Sequence, residues 1–82
     1  MDALKDELRG FILQNFLPGE SASNLKDDTP LISSGILDSH GTLAVVMFLE
    51  ERHGIKVDAY ETSPENFDSI DRIAAFVQSK KG

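Results

Sequence analysis

The stretch that decides the fold reads GILDSHGTLAVVMFLEERH and covers residues 35–53. Asp38 is a good helix N-cap, because its carboxylate can accept hydrogen bonds from the free amides of a first helical turn. Gly54 suits the left-handed position that follows the end of a helix. The stretch therefore predicts a helix from Ser39 to about His53.

This predicted helix has more apolar surface than a small core can cover. The seven consecutive residues 43–49 are all apolar and together surround the helix. In a bundle of 82 residues, one helix cannot be buried on every side. We expect Val45, Val46 and Leu49 to form the stripe that faces the core.

The apolar residues left over indicate a surface for other proteins. Leu43 and Met47 are four residues apart and share a different face of the helix, so we expect both to be partly exposed. Glu50 and Glu51 rim this strip, which is typical of a docking surface. The alternative is that the preceding loop covers the strip.

Two further helices flank this one, each predicted from its apolar spacing. The first runs from about Ala3 to Phe16, and Pro18-Gly19 ends it. Its apolar residues recur at steps of three and four: Leu4, Leu8, Phe11, Ile12 and Phe16. The last begins after Asp68, and its stripe consists of Ile70, Ile73, Ala74 and Val77. A short helical turn is expected at Ser63-Pro64-Glu65-Asn66, where a cap precedes proline at the first helical position.

A long segment between the first two helices, residues 17–37, has no sustained periodicity and is predicted as loop. A loop of this length is unusual in a compact domain, and it is usually either functional or disordered. Its apolar residues argue for order: Leu25, Leu31, Ile32, Ile36 and Leu37. The predicted fold class is all-α, a small bundle of three main helices and one short helix, with a long ordered loop between helices one and two.

Length and composition limit the function classes. The 82 residues predict a single domain spanning 1–82, and the absence of cysteine excludes disulfides and thiolate metal sites. A net charge of −6 makes nucleic acid a poor partner. It fits partner proteins with basic patches, or simply keeps the protein soluble. With no signal-peptide pattern and no apolar run long enough to insert in a membrane, we expect a cytoplasmic protein, and a monomer.

Taken together, the chain resembles the acyl carrier protein family. The resemblance covers nearly the whole sequence and includes the order of helices and loop. The matching stretches are Thr29 to Ser39, Phe48 to Val57, and Pro64 to Ile70.

The resemblance implies a carrier rather than an enzyme. In that family a phosphopantetheinyl transferase moves 4′-phosphopantetheine from coenzyme A to the motif serine, which is Ser39 here. The arm then carries acyl or aminoacyl groups as thioesters, loaded by a ligase and consumed by synthase or transferase enzymes. Asp38 is interpreted as a cap and as a contact for the transferase, and no catalytic residue or metal site is expected.

A second Asp-Ser pair, Asp68-Ser69, shows that such a pair alone is weak evidence. Because it opens a helix with an ordinary core stripe, we interpret it as a helix cap. Ser33 and Ser34 are interpreted as turn residues of the loop.

Four positions depart from the family pattern: His40, Gly41, Ala44 and His53. His40 stands where the family usually has leucine, whereas Gly41 and Ala44 stand where acidic residues are common. The start of the docking helix is therefore less acidic and more flexible, which favours a specialised acyl or aminoacyl pathway over fatty acid biosynthesis. We interpret His40 as a contact for partner enzymes or for the phosphate, because helix neighbours point about 100° apart and cannot easily form a dyad with Ser39. His53 is expected at the helix end or the edge of the core.

Two other classes of function are alternatives to a carrier. The first is a protein-interaction module of carrier fold that is never modified. The second, a small hydrolase or metal protein, is poorly supported, since two separate histidines without cysteine do not make a typical zinc site. The sequence does not determine the cargo, the pathway, or whether an acyl-chain cavity exists among Phe48, Phe67 and Phe76.

Overall fold

The computed structural model describes residues 3–21 and 24–81. Helix α1 covers Ala3–Phe16, and α2 covers Ser39–His53. A 3₁₀ turn at Ala59–Glu61 leads to the short α3, Pro64–Phe67, and α4 covers Ile70–Lys81. No strand occurs in the described part of the chain, so the all-α prediction is confirmed.

The bounds of the two longest helices agree with those predicted from apolar spacing and caps. The short helix begins at Pro64 with Ser63 as its N-cap, as predicted, and it ends at Phe67, one residue beyond the expected turn. The end of α2 also follows the prediction. Gly54 has φ +67° and its amide donates to the Glu50 carbonyl, which gives the expected left-handed termination. The 3₁₀ turn was not predicted.

The core lies where α1, α2 and α4 meet. Each helix contributes side chains with no exposed surface: Leu8 and Ile12 from α1, Val45 and Leu49 from α2, and Ile70, Ile73 and Val77 from α4. The expected core stripe of α2 is therefore confirmed, and Val46 is also buried. The helices are held mainly by this shared apolar burial, because helices this short are marginal in isolation.

The long loop is ordered against this core, as the sequence predicts. Leu25, Leu31 and Leu37 are buried at intervals along it. Its backbone is also tied to other elements, since the Asp71 amide donates to the Asp27 carbonyl at 2.9 Å. Arg9 of α1 adds a hydrogen bond to the Leu25 carbonyl at 2.9 Å. These anchors fix the segment that leads to α2.

At the end of α2 opposite Ser39, polar contacts around His53 join α2 to α1. Its Nε2 lies 2.8 Å from a carboxylate oxygen of Glu7, and Arg52 contacts the other oxygen at 2.7 Å. His53 thus lies at the helix end and the core edge, as expected. None of the described helices has the length and apolar content needed to cross a bilayer.

Candidate functional site

Ser39 is the first residue of α2 and is exposed to solvent. Directly before it, Asp38 has extended backbone angles, and its Oδ1 accepts a hydrogen bond from the Gly41 amide at 2.7 Å. The Asp38 carbonyl accepts the first backbone bond of the helix, from Thr42 at 2.8 Å. The prediction that Asp38 caps this helix is confirmed.

The helix geometry makes the surroundings of Ser39 favourable for an anion. The first amides of any α-helix have no acceptor within the helix, and the aligned peptide dipoles place partial positive charge there. The Asp38 carboxylate accepts a hydrogen bond from one of these amides, that of Gly41. The amides of Ser39 and His40, which the helix itself cannot satisfy, are therefore main-chain donors that an anion at Ser39 could use.

The chain enters this position through a tight turn. Gly35 has φ +89°, a left-handed conformation that a side chain would strain. The Leu37 amide then donates to the Leu31 carbonyl at 2.9 Å, and both leucine side chains are buried. Because Leu37 is anchored two residues before Ser39, the loop fixes where the serine hydroxyl emerges.

Asp68, which lies at the junction of α3 and α4, supports the same loop. Its Oδ1 accepts hydrogen bonds from the amides of Ile32 and Ser33, at 2.8 and 2.9 Å, and its Oδ2 accepts from the Ser33 hydroxyl at 2.8 Å. The amide and hydroxyl bonds from Ser33 are the main cause that lowers the pKa of Asp68. In the Asp68-Ser69 pair, only Ser69 acts as the expected helix cap, with its Oγ accepting from the Arg72 amide.

A groove of about 710 Å³ begins at Ser39 and runs between the loop, the start of α2 and the 3₁₀ turn. Its lining is mostly apolar and consists of Ile32, Gly35, Leu37, Asp38, Ser39, Thr42, Leu43, Ala59, Thr62 and Pro64. The 3₁₀ turn that forms the outer wall is held by Glu61, whose carboxylate contacts Lys80 at 2.8 Å and accepts from the Asp58 amide at 2.9 Å. The Lys80 bond is the chief cause that lowers the pKa of Glu61.

The structure places the predicted docking residues on the outside of α2. Leu43 is 55% exposed and Met47 is 61% exposed, so the loop does not cover them. His40 and Glu51 are exposed as well. Glu50 differs, because it is half-buried and its carboxylate accepts from the Val57 amide at 2.9 Å.

The sequence reasoning missed Tyr60, which is 80% exposed on the 3₁₀ turn. Among the described residues, it is a third large apolar side chain on the surface, besides Leu43 and Met47 of α2. Only its position next to Ala59, which lines the groove, connects it with the site. A single tyrosine in a region without periodicity gives no signal that could have identified it.

Gly41 has a packing role that the sequence did not indicate. It is buried, and a Cβ atom there would lie 3.2 Å from the Phe16 ring and 3.3 Å from both the Asp38 Oδ1 and the Leu37 Cδ2. The expectation that Gly41 mainly makes the helix start more flexible is therefore incomplete. In this chain, glycine lets the capping carboxylate and the end of α1 approach the helix closely.

Known proteins include two that are similar to this chain in sequence and in fold. No family model matches the sequence. A protein named "Probable acyl carrier protein PigG", from Serratia sp. (strain ATCC 39006), is 32% identical over 78 residues, which are 95% of this chain and 88% of that protein. A chain in the solved structure titled "Crystal structure of FAD-dependent dehydrogenase" superposes with a TM-score of 0.76 at 31% identity, over 85% of this chain and 97% of that one.

Proposed function

This chain belongs to the acyl carrier protein family, and on that premise we propose that Ser39 is the residue to which its 4′-phosphopantetheine arm is attached. The protein would then hold acyl or aminoacyl groups as thioesters and deliver them to partner enzymes. The observation that carries the proposal is the exposed Ser39 hydroxyl at the first position of a capped helix, beside an apolar groove.

The residues around Ser39 fit such a group. The hydroxyl is exposed, the first-turn amides and the helix dipole favour a phosphodiester, and the groove offers apolar surface to an extended chain. Because the Oδ1 of Asp38 caps the helix, we assign Asp38 to capping and to contact with the transferase rather than to activation of the serine. We assign that base to the transferase.

The attachment chemistry needs only the serine oxygen from this protein. The Ser39 Oγ displaces adenosine 3′,5′-bisphosphate from the phosphorus of coenzyme A, and the hydroxyl proton passes to the transferase. When attached, the arm supplies a terminal thiol for thioester formation. The chain has no cysteine and therefore no thiol of its own.

Partner enzymes would recognise the exposed side of α2. We propose that Leu43 and Met47 give the apolar contacts, and that Asp38, His40, Glu50 and Glu51 give the polar ones. The net charge of −6 favours partners with basic docking surfaces. These partners include the phosphopantetheinyl transferase, a loading ligase, and downstream synthase or transferase enzymes.

We further propose a specialised biosynthetic pathway rather than fatty acid biosynthesis. The start of α2 lacks the acidic residues that are common in the family at positions 41 and 44, where this chain has Gly41 and Ala44. The similarity to a chain from a structure titled as an FAD-dependent dehydrogenase makes an enzyme of that kind a partner to test. Residues 1–82 would act as one monomeric carrier domain in the cytoplasm.

Thiol titration tests the attachment directly. The protein is incubated with coenzyme A and a broad-specificity phosphopantetheinyl transferase, desalted, and titrated with a thiol reagent. Since the chain has no cysteine, we expect the signal to rise from zero to one thiol per chain. The alternative, an unmodified interaction module, predicts no thiol with any transferase, and that result would refute the proposal.

A further inference from the structure

The imidazole of His53, at the end of α2 opposite Ser39, contacts both of the other long helices. Its Nε2 lies 2.8 Å from the Glu7 Oε1 of α1, and its Nδ1 lies 3.4 Å from the Lys81 Nζ of α4. We propose that this ring is a pH-sensitive clasp, which joins α2 to both helices when it is neutral and releases the last turn of α4 when it is protonated. The clasp does not depend on the attachment of an arm to Ser39.

The first step is the proton that each contact requires. A lysine ammonium has donors and no acceptor, so the contact with Lys81 needs a lone pair on the His53 Nδ1. The single proton of the neutral ring then lies on Nε2, from which it is donated to the Glu7 carboxylate. The two contacts together therefore specify one form of the ring, the neutral Nε2–H tautomer.

The second step is the effect of a second proton on the ring. This proton binds Nδ1, because Nε2 already carries one. The lone pair that accepted from Lys81 is then lost, and two positive charges face each other. The contact with Glu7 changes in the opposite direction, since its donor is now charged and the hydrogen bond becomes an ion pair. One proton thus breaks the contact between α2 and α4 and strengthens the one between α1 and α2.

The third step is the set of charges that face the ring. They come from every element that meets there: Glu7 of α1, Arg52 of α2, Lys56 of the segment that follows α2, and Lys80 and Lys81 of α4. Arg52 and Lys80 are already bound to the carboxylates of Glu7 and Glu61, at 2.7 and 2.8 Å. The His53 side chain is only 15% exposed, so solvent screens its repulsion of Lys81 less than it would at an open surface.

The end of α4 is the part of the bundle that such a contact can control. Val77 is the last buried residue of this helix, and residues 78–81 are exposed. The last turn therefore has little apolar burial to hold it, and the polar contact of Lys81 with the ring contributes to its order. Terminal turns of this kind open at low free-energy cost.

The first experiment determines the tautomer in the intact protein. Long-range proton–nitrogen NMR spectra of the two histidine rings are recorded at about pH 8, where imidazole is ordinarily neutral. We expect His53 in the Nε2–H form, whereas the exposed ring of His40 gives the reference for an imidazole in solvent. A proton on the His53 Nδ1 would overturn the proposal, because Lys81 could not donate to that atom.

The second experiment measures the release of the last turn. The heteronuclear NOE of the backbone amides, which reports fast motion, is followed from about pH 8 to about pH 5, the range in which imidazoles titrate. We expect the values of Ser79 and Lys81 to fall in acid while that of Ile73 stays constant. In Lys81→Met the last turn should already have the low values at the upper end of the range.

Two further variants identify the titrating group. The side-chain amide of His53→Gln does not titrate, so its last turn should show no change with pH. His40→Gln removes the other imidazole from an exposed position and should behave as wild type. A last turn that is equally ordered in wild type across the whole range would overturn the proposal. So would the wild-type pH dependence persisting in His53→Gln, or its disappearance in His40→Gln.

Discussion

The carboxylate of Asp68 holds Ser33 by two hydrogen bonds, one from its backbone amide and one from its hydroxyl, across 35 residues of sequence. A third bond, from the Ile32 amide, goes to the same carboxylate. The Asp68 carbonyl also accepts from the Leu31 amide at 2.7 Å. The loop that leads to Ser39 is thus fixed to the junction of α3 and α4 immediately before its final turn.

Removing this carboxylate should loosen the loop in a way that depends on pH. The hydrogen bonds lower the pKa of Asp68 below its ordinary value of 3.8, so their stabilisation is present above that pH and is lost as the pH falls through the lowered pKa. We expect Asp68→Ala to lower the melting temperature at neutral pH, and the difference from wild type to shrink in acid.

Asp28→Ala provides the matched control, because it removes the same charge from an exposed position in the same loop. Thermal melts of the three proteins across the acid range measure the effect. An Asp68→Ala difference that is no larger than that of Asp28→Ala, or that does not change with pH, would contradict the role given to this carboxylate.

Two glycines within helices should respond to substitution with opposite signs. A Cβ at Gly10 would meet nothing within 4 Å, so Gly10→Ala should raise the free energy of unfolding by about 0.5–1 kcal/mol. Gly41→Asp places a second carboxylate beside the Asp38 carboxylate and against the Phe16 ring, and we expect a loss of about 1–3 kcal/mol. Urea denaturation of both variants gives the signs, and a stabilised Gly41→Asp would show that the packing account is wrong.

The cap of α2 should be measurable by itself. Asp38→Ala leaves the Gly41 amide without its acceptor and should reduce the free energy of unfolding by about 1 kcal/mol. Asp38→Ser retains a capping oxygen and should lose much less. If the two variants unfold at the same urea concentration, the cap contributes nothing that is specific to its oxygen.

The exposed strip on α2 should contribute to recognition without contributing to the fold. Met47→Glu changes a residue that is 61% exposed, so the far-ultraviolet circular dichroism and melting temperature should stay close to wild type. If Met47 anchors the transferase, we expect kcat/KM for modification to fall about tenfold. Gln78→Glu adds the same charge to an exposed position on α4 and serves as control. Equal rates for the two variants would exclude Met47 from the interface.

Much of the fold follows from local sequence. Apolar spacing predicts α1 and α4, while Asp38 and Gly54 mark the ends of α2, because these signals act within a few residues along the chain. The exposure of Leu43 and Met47 could also be predicted, because seven consecutive apolar residues cannot all face one small core.

The contacts that hold the loop and the helix start around Ser39 could not be predicted from local sequence. The contacts of Asp68 with Ser33 join segments that are distant in sequence. From sequence alone, the pair Asp68-Ser69 before a helix is interpreted only as a cap. The burial of Gly41 likewise depends on the position of the Phe16 ring in the folded protein, which no local sequence pattern specifies. Such contacts are set by tertiary packing.

The attachment of the arm to Ser39 is tested most directly by locating the mass increase that it causes. Wild type, Ser39→Ala and Ser69→Ala are incubated with coenzyme A and a transferase, and intact mass and fragment spectra locate the adduct. Ser69 is the matched control because it also follows an aspartate at the start of a helix. We expect one 4′-phosphopantetheine on Ser39 in wild type and Ser69→Ala, and none in Ser39→Ala. An adduct that persists in Ser39→Ala, or no adduct in wild type with any transferase tried, would contradict it.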